Sequence, residues 1–204
     1  MRHISYLALG DSYTIGEQVP LHDSFPYQTI QLLRKQFPEH QFLPPEIVAK
    51  TGWTTQELSE HIFGTCLLKH YDFVTLLIGV NNQYRGQSIV NYKAEFEGLL
   101  QKAIAFSGGN NRQVFVLSIP DWGVTPFAEG RDRDIIAAEI DQFNNSCKQI
   151  ALFYECHFID ITSDQRKDKD DDSFLAEDKL HPSGKEYVKW AKKLIVSIAT
   201  QLNE

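Results

Sequence analysis

The stretch Phe73-Val74-Thr75-Leu76-Leu77-Ile78-Gly79-Val80-Asn81-Asn82 decides the fold. Its first six residues are strongly apolar, which suits a central strand of a parallel sheet covered on both faces. Gly79-Val80-Asn81-Asn82 follows the end of that run. Upstream, Ile4 to Leu9 reads as a first strand and Phe42 to Ala49 as a second, interrupted by Pro44-Pro45. Asp23 to Phe37 reads as a helix between them. Asp23 or Ser24 caps it, Pro26 sits in its first turn, and Ile30, Leu33 and Phe37 share a face. Thr54 to Phe63 is a short helix. Downstream, Tyr92, Phe96, Leu99, Ala103 and Phe106 follow helical spacing, as do Ile136, Ile140, Phe143, Cys147, Ile150 and Tyr154. Gln113 to Ile119 and Cys156 to Ile161 supply a fourth and a fifth strand. A polar loop, Thr162 to Glu177, follows, and Tyr187 to Leu202 forms the last helix.

Strands alternating with helices imply an α/β fold, a five-stranded parallel sheet with helices on both sides. The expected strand order is flavodoxin-like, 2-1-3-4-5. Ligands of such sheets bind beyond the carboxyl ends of the strands. Ser12, Gly52, Asn81 and Asp121 each follow one of these ends, and the loop after the fifth strand leads to Asp178 and His181.

The 204 residues fit a single domain, and 42% hydrophobic and 12% aromatic residues suffice for a sizeable core. A net charge of −7 lacks the cationic footprint of a nucleic-acid binder and disfavours anionic membrane surfaces. Cys66, Cys147 and Cys156 are odd in number and form no Cys-x-x-Cys pair, so they read as buried free thiols. The apolar run Ile4–Leu9 is too short for a secretory leader, and no stretch approaches the ~18 apolar residues of a membrane span. The expectation is a cytoplasmic protein with no stable membrane anchor, a leader removed earlier being left open. No zinc or EF-hand spacing is present, so no metal or cofactor is expected. The run Arg166 to Asp172 reads as a solvated loop. Oligomeric state is not legible.

A serine in a glycine-rich turn is by itself only a turn residue. Asp178-Lys179-Leu180-His181 changes the reading of Gly10-Asp11-Ser12. A serine hydroxyl needs an adjacent base, and the base needs a carboxylate to fix its tautomer. The Asp-x-x-His spacing lets the carboxylate accept from Nδ1 and leaves Nε2 for Ser12. The Ser12 and Gly52 backbone N–H groups and the Asn81 side-chain amide can serve as donors to an oxyanion. Asp11 fits an Asx-type role in the loop rather than a catalytic one. Trp53, Tyr84, Trp122 and Phe127 lie near the motif loops and are candidates to line a substrate site.

With these blocks in order, Gly-Asp-Ser at 10–12, Gly52, Gly-x-Asn at 79–81 and Asp-x-x-His at 178–181, the sequence resembles the SGNH hydrolases, the GDSL-type esterases and lipases. The resemblance covers nearly the whole chain. It implies a three-layer α/β/α sandwich and ester hydrolysis through an acyl-enzyme, with Ser12 as nucleophile and Asp178 and His181 as its partners. Ser12, Gly52 and Asn81 would form the oxyanion hole. It requires no metal. In one respect the sequence departs from the pattern: Asn82 stands where the family commonly has Asp. Ser118 to Phe127 looks like a variant of a wall segment from one branch of the family. The substrates expected are small-molecule esters, short-chain acyl or acetyl, with esters of carbohydrates or lysophospholipids among the candidates. A binding module that kept the fold, and an acyltransferase using the same residues, are the competing readings.

Overall fold

The computed structural model describes residues 2–202. Among the described residues there are seven strands: β1 (His3–Ile4), β2 (Tyr6–Gly10), β3 (Gln41–Phe42), β4 (Glu46–Ala49), β5 (Phe73–Leu77), β6 (Val114–Leu117) and β7 (His157–Ile159). Eight α-helices accompany them: α1 (Ser12–Ile15), α2 (Phe25–Gln36), α3 (Thr55–Gly64), α4 (Val80–Tyr84), α5 (Ile89–Phe106), α6 (Arg133–Phe153), α7 (Thr162–Lys167) and α8 (Gly184–Leu202).

Five strands form one parallel sheet in the order β4-β2-β5-β6-β7. Counted along the chain within that sheet, this is the expected 2-1-3-4-5. The central strands β2, β5 and β6 are buried at every residue. Their continuous apolar runs therefore match cover on both faces. The edge strands β4 and β7 are only partly buried.

Each of two expected strands is divided. Phe42 to Ala49 breaks at the prolines, which lack the N–H a ladder requires. Gln41–Phe42 pairs with His3–Ile4 in a separate two-stranded sheet, and Glu46–Ala49 joins the main one. Between β1 and β2, the Ser5 amide and hydroxyl both donate to Asp72, at 2.7 and 2.8 Å, and pin that junction beside β5.

Helix α2 packs with α8, and α5 packs with α3 and α6. Phe25 of α2 meets Tyr187 and Trp190 of α8, with ring centroids 6.4 and 6.0 Å apart. Ser24 occupies the α2 N-cap position, but its hydroxyl donates back to the Leu21 carbonyl and makes no cap bond. By contrast Thr54 and Glu57 close a reciprocal capping box on α3.

Two further expectations are corrected. The segment after β7 is not a continuous loop: it contains α7 and a 3₁₀ turn at Asp172–Phe174. Within the charged run, Arg166 is held by the buried Asp121 carboxylate at 2.8 Å and by Asp141 at 2.7 Å, so it is a structural tie rather than a solvated charge. Cys66 is exposed, whereas Cys147 and Cys156 are buried. Among the described residues no helix is long and apolar enough to cross a membrane.

Candidate active site

The nucleophile candidate sits where β2 turns into α1. Gly10 is required there by space: a Cβ would collide with the Thr14 side chain and with the Leu77 carbonyl of β5. Asp11 caps α1, its Oδ1 accepting from the Tyr13 N–H at 3.0 Å. This is the Asx-type role expected for it. Its carboxyl is buried, and burial pushes its pKa up to about 7 against the backbone hydrogen bonds that favour the anion. Ser12 follows at the first helical position and is itself buried.

His181 comes to Ser12 from 169 positions away in the sequence, with Nε2 and Oγ 2.9 Å apart. On the other side of the ring, Nδ1 lies 2.5 Å from Asp178 Oδ2. The second carboxylate oxygen accepts from the backbone N–H groups of Leu180, at 3.0 Å, and His181, at 2.9 Å. Burial works to raise the Asp178 carboxyl, but the hydrogen bonds from the His181 side chain and from these two amides outweigh it and hold it below its ordinary value. The chain makes this tight turn by placing Lys179 in the left-handed region, at φ +58°. Ala176 and Phe127 frame it: the Lys179 N–H donates to the Ala176 carbonyl, and the Phe127 N–H reaches the Lys179 carbonyl.

Gly52 and Asn81 face the same space from the ends of β4 and β5. Gly52 adopts φ +83°, a conformation costly for any residue with a Cβ. Its carbonyl accepts from the Arg85 guanidinium, which also pairs with Glu57 at 3.2 Å. The Asn81 Nδ2 donates one hydrogen to the Trp53 carbonyl at 3.0 Å, which orients the amide and leaves its second hydrogen to the cleft. Asn82, one residue on, turns inward and is fully buried. Its oxygen accepts from the Thr55 N–H at 3.1 Å; its amide donates to Thr55 Oγ1 at 2.6 Å and Gln87 Oε1 at 2.8 Å.

Ser12, Gly52, Asn81 and His181 line one open cleft. Tyr84, Trp122 and Phe127 lie along it as well. Trp53 does not: its ring packs on His61, with centroids 4.7 Å apart, and only its carbonyl reaches the site through Asn81. Four lining residues were not foreseen: Tyr13, Thr51, Val80 and Leu180. Each is the immediate chain neighbour of Ser12, Gly52, Asn81 or His181, and that adjacency was the available signal. Among the described residues no cluster of His, Cys, Asp or Glu is arranged to hold a metal ion.

The arrangement holds a hydroxyl against an imidazole, the imidazole against a carboxylate, and amide donors beside the hydroxyl. Such a set can take a proton from an attacking oxygen and stabilise the charge left on an acyl carbonyl.

A model of the GDSL-like lipase/acylhydrolase family matches residues 8–188. No curated protein matches the sequence. Among solved structures, an acetylxylan esterase from Geobacillus stearothermophilus is similar at 20% identity and a TM-score of 0.74, over 96% of this chain and 94% of that one. A lipase from a goat rumen metagenome is similar at 20% identity and a TM-score of 0.76, over 95% and 97%. A lipase/acylhydrolase from Enterococcus faecalis is similar at 18% identity and a TM-score of 0.69, over 98% and 97%. At these identities the solved structures speak for the fold.

Proposed function

The chain belongs to the GDSL-like lipase/acylhydrolase family and is by that membership a carboxylic ester hydrolase; we propose that it cleaves short-chain acyl or acetyl esters of small alcohols through an acyl-enzyme on Ser12. The observation that carries this is the unbroken run of contacts from Ser12 Oγ through the His181 ring to Asp178, at 2.9 and 2.5 Å, on the wall of the cleft.

In the proposed reaction the Asp178 carboxylate accepts from Nδ1–H, so Nε2 is the unprotonated nitrogen facing Ser12. Ser12 Oγ bonds to the acyl carbon as its proton passes to Nε2. The carbonyl oxygen becomes an oxyanion beside the Ser12 and Gly52 N–H groups and the second Asn81 hydrogen. The bond to the alcohol oxygen then breaks, and His181 returns the proton to that oxygen. Water repeats the sequence on the acyl-enzyme, releasing the acid and restoring the serine.

Hydrolysis of p-nitrophenyl acetate and butyrate by wild type and Ser12→Ala tests the reading. Loss of turnover in the variant, together with covalent labelling of Ser12 by a fluorophosphonate probe, is expected. Equal rates in both proteins would overturn it, and ligand binding without labelling or turnover would favour a binding module instead.

A further inference from the structure

We propose that the wall formed by Tyr84, Trp122 and Phe127 is the subsite for the alcohol half of the ester, and that it selects an uncharged, ring-bearing alcohol. This rests on the reading of Ser12 as nucleophile and His181 as its base.

The first argument is charge. Among the described residues lining the cleft there is no Asp, Glu, Lys or Arg. Two charged groups near its rim, Arg85 and Glu17, already have partners. Arg85 is shared between the Gly52 carbonyl and Glu57, and Glu17 accepts from the Thr51 hydroxyl. A charged alcohol would lose water here and meet no opposite charge in return.

The second argument is shape. The three rings pack edge to face: Tyr84 and Trp122 have centroids 5.2 Å apart, and Trp122 and Phe127 6.1 Å. Trp122 is buried, and its one polar atom is spent on Gln83 Oε1 at 2.7 Å, so it presents only carbon to the cleft. Tyr84 and Phe127 are each 46% exposed despite this packing. Two large exposed rings braced by a buried third form an apolar surface that a second ring can cover.

The third argument is direction. The alcohol oxygen takes its proton from His181, so the alcohol lies on the histidine's side of the acyl carbon and the oxyanion on the side of Gly52 and Asn81. Phe127 is the ring fastened to the histidine loop, through its N–H to the Lys179 carbonyl at 3.4 Å. Leu180, the residue before His181, lines the same space.

The test uses ratios of kcat/KM, since benzyl and ethyl acetate share an acyl group while benzyl acetate and benzyl butyrate share an alcohol. In Phe127→Ala the benzyl-to-ethyl acetate ratio should fall roughly tenfold, the scale of one lost apolar contact in a pocket, and the butyrate-to-acetate ratio should hold. Phe127→Leu should fall between. Wild type should cleave 4-carboxybenzyl acetate more slowly than benzyl acetate. A shift in the butyrate-to-acetate ratio would place the acyl chain on the wall and overturn the assignment. So would ratios equal to wild type, or equal cleavage of the carboxylated ester. If Phe127→Ala does not fold, Phe127→Leu and Tyr84→Ala are read by the same ratios. Ser12→Ala is run alongside: benzyl acetate cleavage at the wild-type rate would sink the serine reading itself, whatever the ratios.

Discussion

Asn82 and Thr55 bind each other twice, backbone N–H to Asn82 Oδ1 and Asn82 Nδ2 to Thr55 Oγ1, and so tie the loop after β5 to the start of α3. An aspartate at 82 would keep the first bond. It would lose the second, and the Gln87 amide that now accepts would have to turn over to donate. The Thr55 hydroxyl offers no relief, being donated to Glu95. Asn82→Asp, although it restores the residue common in the family, should therefore destabilise the protein by about 1–3 kcal/mol. At this chain length that lowers Tm by roughly 2–12 °C in a thermal melt.

Asp178→Asn tests the orienting carboxylate. The amide can keep the shape of the turn, since its oxygen can still accept from the Leu180 and His181 N–H groups. It cannot hold the imidazole in one tautomer as the carboxylate does. Under the proposed mechanism kcat on p-nitrophenyl acetate should drop by roughly 10³–10⁴-fold, with an unchanged far-ultraviolet circular dichroism spectrum.

Asp11 makes stability depend on pH. Its carboxyl titrates near 7 in the folded chain, raised by burial from an ordinary value of 3.8. Between those values the folded state holds a proton that the unfolded state has lost. The contribution is therefore fully present at acid pH and is lost as pH rises through about 7. Half-buried His157, held below its ordinary value by burial, works in the opposite sense and strengthens the fold as pH rises. The comparison must therefore be made between proteins. From pH 5 to pH 8, Asp11→Asn should lose less Tm than wild type, because an amide keeps the acceptor for the Tyr13 N–H and does not ionise.

What the sequence could and could not reveal follows from where each signal resides. Strand runs such as Phe73–Leu77 are visible because burial on both faces makes them uniformly apolar. The motif residues are visible because the chemistry proposed for them, proton transfer and oxyanion binding, admits few side chains. Helix α7 is not, because Thr162 and Gln165, the residues it buries, are polar and leave no apolar period. Trp53 sits beside a motif glycine, and only tertiary packing turns its ring to His61. Arg166 lies in a charged run and finds Asp121 and Asp141 only once α6 and α7 are assembled.

The thiols should separate cleanly. Burial pushes the Cys147 and Cys156 thiols up to about 12, while Cys66 is exposed. Titration of the native protein with a thiol-disulfide reagent near pH 8 should consume one equivalent, and all three should react in denaturant. Cys66→Ser should leave the native protein unreactive.

The Ser12 hydroxyl and the His181 imidazole are 169 positions apart in the chain, and the segment carrying the imidazole leads directly into α8. A ribosome builds the serine loop early and the histidine loop late. Under the proposed mechanism the nascent polypeptide therefore carries an unactivated alcohol for most of its synthesis. Under the proposed mechanism turnover waits for the His181 loop to reach Ser12, so the onset of esterase activity times the meeting of those two loops.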